Sequence, residues 1–495
     1  MKFKIRNFNW LAGRPVVFLN PNSANRIDIH VDERVSIEKI NGKKKVYAVV
    51  DILPKIVKDN EIGLSNEIIA MLNLRGQKYV DVGSAQISRA GSLIKKKISG
   101  GKLNKEEMTD LIREIVNNNL TETELAFFAA AEKTKGMNMK EIVFLTEAMV
   151  KTGKRLKFNK KIVADKHCIG GIAGNRTTPI VVAICASAGL TIPKTSSRAI
   201  TSAAGTADVI ETISRVDFEA DELEKIVSKV GACLAWGGAL GLAPSDDKII
   251  RVERILNLDV EPQLLASIMS KKIAAGSNHI LIDIPYGAGG KMSTKGKAEK
   301  LGEKFKELGR YFKIKVKAVY TKGDEPIGNG VGPVLEMLDI IQVLKRSEGY
   351  PEDLREKSLF LASELMDLCG IDNSKEKAIQ ILDSGKAYEK FKEIINMQNK
   401  KNNFDYRVRK LKTAKFSHNV IAKGSGKIIE VSNSKINSMC RVLGTPENHG
   451  AGIYLYKHVG KVKKGEKIMT LYSEDKDRIR EAISFMDELN VLKIV

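Results

Sequence analysis

Three glycine- and hydroxyl-rich segments constrain this chain more than any other feature. The first, Asp165-Lys166-His167-Cys168-Ile169-Gly170-Gly171-Ile172-Ala173-Gly174-Asn175, lies between the apolar run Ile162–Ala164 and a helical pattern beginning near Thr177. The second, Lys194 to Asp208, crowds six hydroxyls, Arg198 and Gly205 into one stretch. The third, Asp283-Ile284-Pro285-Tyr286-Gly287-Ala288-Gly289-Gly290-Lys291-Met292, continues the apolar run Ile280–Ile284. Glycines let backbone N–H groups approach an anion, and a following helix N-terminus adds a favourable field. Lysine supplies a mobile point charge, and clustered hydroxyls with an arginine make a donor array for oxyanions. Neither GxxxxGK[ST] nor GxGxxG is present, so P-loop and Rossmann sites are excluded. Taken singly, each segment also fits an ordinary turn, a solvated connection or a surface lysine. Together, in a strand–loop–helix setting, they point to ligands held at the strand ends of an α/β layer.

The neighbouring patterns suit such a layer. The apolar run Ile314–Tyr320 and helical patterns at 177–189, 221–230, 297–309 and 333–346 alternate with the runs already named. From about Ser84 the periodicity is helical. Capping boxes at Asn104/Glu107, Thr121/Glu124 and Asn138/Glu141 open helices, and Met108, Leu111, Ile112, Ile115 and Val116 form an apolar stripe. Phe127 and Phe128 read as core. Residues 1–84 read as a β-rich module: Arg14–Leu19, Arg26–Val31 and Lys45–Asp51 are β-prone, and Asn20-Pro21-Asn22 and Asn41-Gly42 are turn signals. Met397–Asn403 reads as a linker or helix end. Residues 413–495 return to short strands with many glycine turns, a compact α+β closing domain.

Composition narrows the class. A chain of 495 residues has room for about three domains. With 43% hydrophobic and 29% charged residues, it is neither disordered nor fibrous. No apolar run approaches the roughly 20 residues of a membrane span, and no early segment reads as a signal peptide. The five cysteines (168, 185, 233, 369 and 440) lack CxxC spacing and metal-ligand histidine neighbours. They predict a reducing cytoplasm, no disulfide framework and no metal site. The formal charge of +22 fits nucleic acid, an anionic substrate, or neither. Lysines are spread along the whole length and aromatics are only 6%, with no basic–aromatic interleaving. That pattern disfavours nucleic acid and suits a thermophilic charged surface.

The segments Asp165–Gly171, Ser196–Glu211, Ser267–Lys272, Asp283–Met292 and Pro326–Glu336 occur in the order found in the thymidine/pyrimidine nucleoside phosphorylase family, which the chain resembles over about residues 85–495. Ser-x-Arg followed by Gly-Thr-x-Asp-x-x-Glu is the most diagnostic piece. The resemblance implies an α/β multidomain fold. A helical subdomain (85–158 plus about 244–275) would be hinged to a mixed α/β domain (159–243 plus 276–412), between the module 1–84 and the closing domain 413–495. Within the family the chain is most similar to the archaeal AMP phosphorylase branch. The extra N-terminal module is typical of that branch. Lys291 stands where nucleoside phosphorylases resemble Gly-Ala-Phe-Met, and Val252 where they use an arginine to hold the pyrimidine carbonyl.

That resemblance implies phosphorolysis of AMP to adenine and ribose 1,5-bisphosphate, with orthophosphate as co-substrate and no cofactor. It makes Asp259 the proton donor to the departing base, although from the residues alone a helix N-cap ahead of Pro262 is the better reading of that aspartate. Orthophosphate is expected among Lys166, Cys168 and the 168–171 backbone, Ser196 and Thr206. Cys168 stands in place of the family's usual serine. The nucleotide is expected at Gly171, Ser197, Arg198, Ala199, Ile200, Thr201, Ser202, Thr206, Ser267 and Lys291, with Arg198 and Lys291 toward its 5′-phosphate. His167 and Lys271 are candidates to line the base. The family also implies a homodimer or larger homo-oligomer, and the N-terminal module, which lacks polar clusters, is expected to serve subunit association. Whether CMP and UMP are accepted stays open. Alternative readings are a thymidine/uridine phosphorylase and, remotely, a non-catalytic basic nucleic-acid-binding protein; anthranilate phosphoribosyltransferase shares the broad two-domain plan.

Overall fold

The computed structural model of the chain describes residues 1–42, 44–84, 89–199, 202–255 and 258–495. It divides into two compact units, residues 1–152 with 244–267 and residues 153–243 with 268–495.

The first unit begins with a closed barrel. Its six strands run in the order Lys2–Asn7, Glu61–Leu64, Val16–Leu19, Lys45–Ile52, Arg34–Lys39, Tyr79–Ser84. Alternate residues point inward, so Val35, Ile37, Val46, Ala48, Val50, Val80 and Val82 build a shared core. The turn at Asn41, left-handed at φ 60°, joins Arg34–Lys39 to Lys45–Ile52 as the Asn-Gly signal predicts. Arg26–Val31, expected as a strand, is not one. Asn20 instead caps a helix, Pro21–Arg26, by accepting from the Asn22 N–H, with proline in the first turn where its missing N–H costs nothing.

The helices Lys105–Val116, Glu122–Lys135 and Met139–Thr152 follow. All three expected capping boxes are closed, the third by Asn138 and Glu141. Phe128 is fully buried, but Phe127 is 55% exposed, contrary to expectation. Neighbours on a helix point about 100° apart, and the buried stripe here runs through Leu125, Phe128, Ala129 and Glu132. The C-terminal carbonyls of Lys105–Val116 receive charged donors: Lys248 bonds Ile115 O and Val116 O at 2.8 and 2.7 Å, and Arg34 of the barrel bonds Asn118 O and Leu120 O just beyond.

The second unit contains the α/β layer. Lys315–Lys322, His279–Tyr286 and Ala164–Cys168 form one parallel sheet, and Ile192–Ser196 pairs in parallel with Ala232–Trp236. A parallel bridge between Val163 and Thr191 links the two sets. Helices Thr177–Ser187, Ala220–Val230, Lys295–Tyr311 and Pro333–Lys345 match the expected patterns closely. The first strand lies later than expected: it carries Asp165 to Cys168 rather than ending at Ala164. Antiparallel strands from residues 416–494 close the unit, and one of their sheets also takes in Gly330–Val331. Among the described residues, no helix is long and apolar enough to cross a membrane.

Candidate active site

Because Ala164–Cys168, Ile192–Ser196 and His279–Tyr286 run parallel, the loops that follow them emerge on the same edge of the layer. This is the edge where open α/β sheets bind ligands.

The strand under the first loop is unusually polar for its burial. Asp165 is fully buried between Lys272 at 2.7 Å and Lys194 at 3.3 Å. Buried charges persist only when matched in this way. Lys166, 1% exposed, donates to Thr177 Oγ1 at 2.9 Å at the start of the next helix. Burial pushes its pKa down, opposed by the neighbouring Cys168 and Asp283. His167 has its pKa pushed well below the ordinary value by burial and by the cations Lys272, Lys194, Lys271 and Lys166. It is therefore a neutral ring among ammonium groups. Burial raises the Cys168 pKa, and Asp283 raises it further, so this side chain is a thiol that receives Asn175 Nδ2 at 3.4 Å. Gly170 and Gly171 both have positive φ, 94° and 99°. A Cβ on Gly171 would lie 3.0 Å from Gly289 O and 3.1 Å from Lys291 N, so the first and third loops touch through backbone.

The second loop is folded by its own motif. Asp208 accepts from Ala199 N at 2.7 Å and Gly205 N at 2.8 Å, and pairs with Arg198 at 3.2 Å. Glu211 takes both terminal nitrogens of Arg198, whose guanidinium also lies 4.7 Å over the Trp236 ring. These carboxylates raise the arginine's pKa and secure its charge. Arg198, expected toward the 5′-phosphate, is held by the loop's own two carboxylates. The buried Ser196 hydroxyl has no hydrogen-bond partner among the described residues, a condition a phosphate oxygen would satisfy. Ala199 and Ser202 lie partly buried along the loop and Ser197 is exposed; Ile200 and Thr201 lie outside the described residues. Thr206 opens the short helix Thr206–Glu211 and accepts from Arg176 Nη1 at 3.0 Å.

Arg176 was not singled out by sequence. It bonds Glu336 at 2.6 Å, Ala204 O at 2.7 Å and Thr206, linking two of the motif segments from just beyond the glycine loop. Its signal was local: a cation at the end of the glycine loop, immediately before a helix. In the third loop, Gly287 N bonds Met292 O at 2.9 Å and Gly289 N bonds Gly323 O at 3.0 Å, while the Lys291 side chain is exposed.

Asp259 and Ser267 belong to the first unit. Asp259 is exposed, two residues ahead of the helix Glu261–Ala274, and its carbonyl accepts from Lys133 Nζ at 2.6 Å. Ser267 donates to the buried Asp246 at 2.9 Å, as does Gln263. Val252 is 4% exposed and packs in the helical core with Ile249 and Ala266. Lys271, partly buried, lies four residues beyond Ser267 on the same helix, in the stretch that belongs to the second unit.

Residues 91–153 match the helical bundle domain of a glycosyl transferase family, residues 160–388 that family's α/β domain, and residues 428–493 the pyrimidine nucleoside phosphorylase C-terminal domain. The chain is 43% identical to an AMP phosphorylase of Thermococcus kodakarensis over 98% of its own length and 96% of the relative's. It is 38% identical to AMP phosphorylase 1 of Archaeoglobus fulgidus, over 98% and 95%. The crystal structure of anthranilate phosphoribosyltransferase from Thermus thermophilus shares the fold over 62% of this chain and 99% of that one, at TM-score 0.52 and 17% identity. With a parallel layer carrying all three glycine- and hydroxyl-rich loops and relatives that align almost end to end, the chain belongs to the AMP phosphorylase family.

Proposed function

We propose that the chain cleaves the N-glycosidic bond of AMP with orthophosphate, releasing adenine and ribose 1,5-bisphosphate. The near full-length similarity to AMP phosphorylases carries this reading. The site chemistry supports it, because two phosphates need two cationic positions. Lys166 is a buried lysine beside the glycine loop, suited to orthophosphate, and Lys291 is an exposed one on the touching loop, suited to the 5′-phosphate. Orthophosphate would be held by Lys166, the backbone around Cys168 to Gly171, Ser196 and Thr206. A phosphate oxygen then forms the bond to C1′ as the bond from C1′ to the base nitrogen breaks, through an oxocarbenium-like transition state. Asp259 gives its proton to the departing base, so the base does not leave as an anion. His167 and Lys271 line the base, and Gly171, Ser197 to Ser202 and Ser267 bind the nucleotide. Arg198 acts by holding the second loop. We further take the protein to be a cytoplasmic homo-oligomer, at least a dimer.

The test is base release from AMP, CMP, UMP, adenosine, thymidine and uridine with orthophosphate. AMP should be the best of the six; preferential cleavage of thymidine would replace this reading with a nucleoside phosphorylase. Lys291→Ala should lower kcat/KM on AMP by about 10- to 100-fold, as loss of a charged hydrogen bond does, and barely change any activity on adenosine. Asp259→Asn should cut kcat by about 10²- to 10⁴-fold, the usual share of a general acid. Full turnover in that variant would remove the aspartate from the chemistry.

A further inference from the structure

We propose that Asn433 and Asn437 are positioning residues that set the spacing of the ligand loops, an inference that rests on the phosphorolytic reading. Both lie on the helix Asn433–Leu443 of the closing segment, four residues apart and so on one face. Asn433 Oδ1 accepts from Ala173 N of the glycine loop at 2.9 Å. Asn437 Oδ1 accepts from Ala203 N of the hydroxyl loop at 3.0 Å. The third loop is reached through Gly323, whose carbonyl accepts from Asn433 Nδ2 at 3.3 Å and from Gly289 N at 3.0 Å. Contact there is so close that a Cβ on Gly289 would lie 1.9 Å from Asn433 Nδ2.

The surroundings make these asparagines expensive unless they are used. They are 1% and 7% exposed, on a helix whose buried face otherwise carries Ile436, Met439, Cys440 and Leu443. Asn437 lies in the helix interior, where asparagine is a poor residue, Asn433 opens the first turn, and in both a buried amide must be paired. Leucine would complete the apolar face, but it could not hold a loop. Ala173 and Ala203 themselves pack into this same hydrophobic cluster, so each loop is anchored by one methyl group and one N–H. A single rigid helix therefore fixes both oxyanion loops, and loop placement matters because misplacing a bound reactant by about 1 Å can cost on the order of a hundredfold in rate.

The test uses the full chain. Orthophosphate affinity is measured by calorimetry, and KM for phosphate and kcat on AMP by steady-state kinetics. The variants are Asn437→Leu, the milder Asn437→Ser, and Leu443→Ala as a control that loosens the same helix without touching a loop. Asn437→Leu and Asn437→Ser should weaken orthophosphate binding and raise its KM by about tenfold, the loss expected for one buried hydrogen bond, with a smaller change in kcat. Leu443→Ala should lower the melting temperature and leave phosphate affinity unchanged. Equal effects of all three variants on affinity, or affinity within twofold of the parent in both Asn437 variants, would overturn the inference. If the parent cleaves AMP and the variants bind phosphate normally, the inference alone fails. If the parent binds phosphate but leaves AMP intact, the phosphorolytic reading fails and the calorimetric comparison still decides the role of Asn437. A parent that binds no orthophosphate overturns both.

Discussion

Asp208 and Glu211 explain why the most diagnostic piece of sequence has the form it does. The spacing Gly-Thr-x-Asp-x-x-Glu places two carboxylates on one short helix, where they collect Ala199 N, Gly205 N and the guanidinium of Arg198. The motif was legible because its partners lie within 13 residues of one another. What the spacing alone does not show is that the Arg198 guanidinium is bonded to both carboxylates at once. His167 makes a prediction at this scale. Its pKa is depressed by burial and by four lysines, so the unfolded chain binds a proton near pH 6.5 that the folded chain refuses. The neutral ring's contribution to stability is complete above about pH 6.5 and is lost progressively as pH falls below that value. Unfolding free energies of the parent and His167→Gln, compared at pH 7.5 and 5.5, should show the parent's relative advantage shrinking at the lower pH. The same difference at both values would mean that the ring titrates normally.

Elements defined by local chemistry were read well, and those defined by distant partners were not. The capping boxes closed as written because donor and acceptor are three residues apart. Ile192–Ser196 (IPKTS) has no strand pattern, yet it is a buried parallel strand because Lys194 finds Asp165 from another strand. Likewise, Asp165 to Cys168 looked like loop because its charges are matched only in the folded layer. The end of helix Lys105–Val116 shows the same dependence across elements. Arg34 comes from a barrel strand more than 80 residues earlier to bond Asn118 O and Leu120 O. Burial lowers the pKa of this arginine to about 10, still charged at neutral pH. Arg34→Met should leave those carbonyls short of a donor and destabilise the first unit by about 1–3 kcal/mol, the cost of unpaired buried acceptors. Chemical denaturation followed by the fluorescence of Trp10, which sits in this unit, would measure it. An unchanged midpoint would show that water replaces the guanidinium without loss.

At the scale of the whole molecule, the charge of +22 divides into two populations with different physics. A few cations are buried and committed: Lys166 to Thr177, Lys194 and Lys272 to Asp165, Arg176 to Glu336. Many others lie on the surface in pairs such as Lys96–Glu107 and Lys105–Glu147, which contribute little individually and are screened by salt. Beside the proposed phosphates stand the buried Lys166 and a single exposed cation, Lys291, so substrate binding should depend only modestly on ionic strength. A nucleic-acid surface would behave differently, because each neutralised backbone phosphate releases counterions; six to ten such contacts lose about 10³- to 10⁵-fold in affinity between 50 and 200 mM salt. We expect KM for AMP to rise by no more than about threefold over that range, since one exposed cation, Lys291, faces the proposed 5′-phosphate and only its attraction is screened. Single-stranded oligonucleotide retention should be weak at both salts. Tight retention at 50 mM that collapses at 200 mM would show that the surface lysines form a continuous binding face, and the scattered excess would then carry a function of its own.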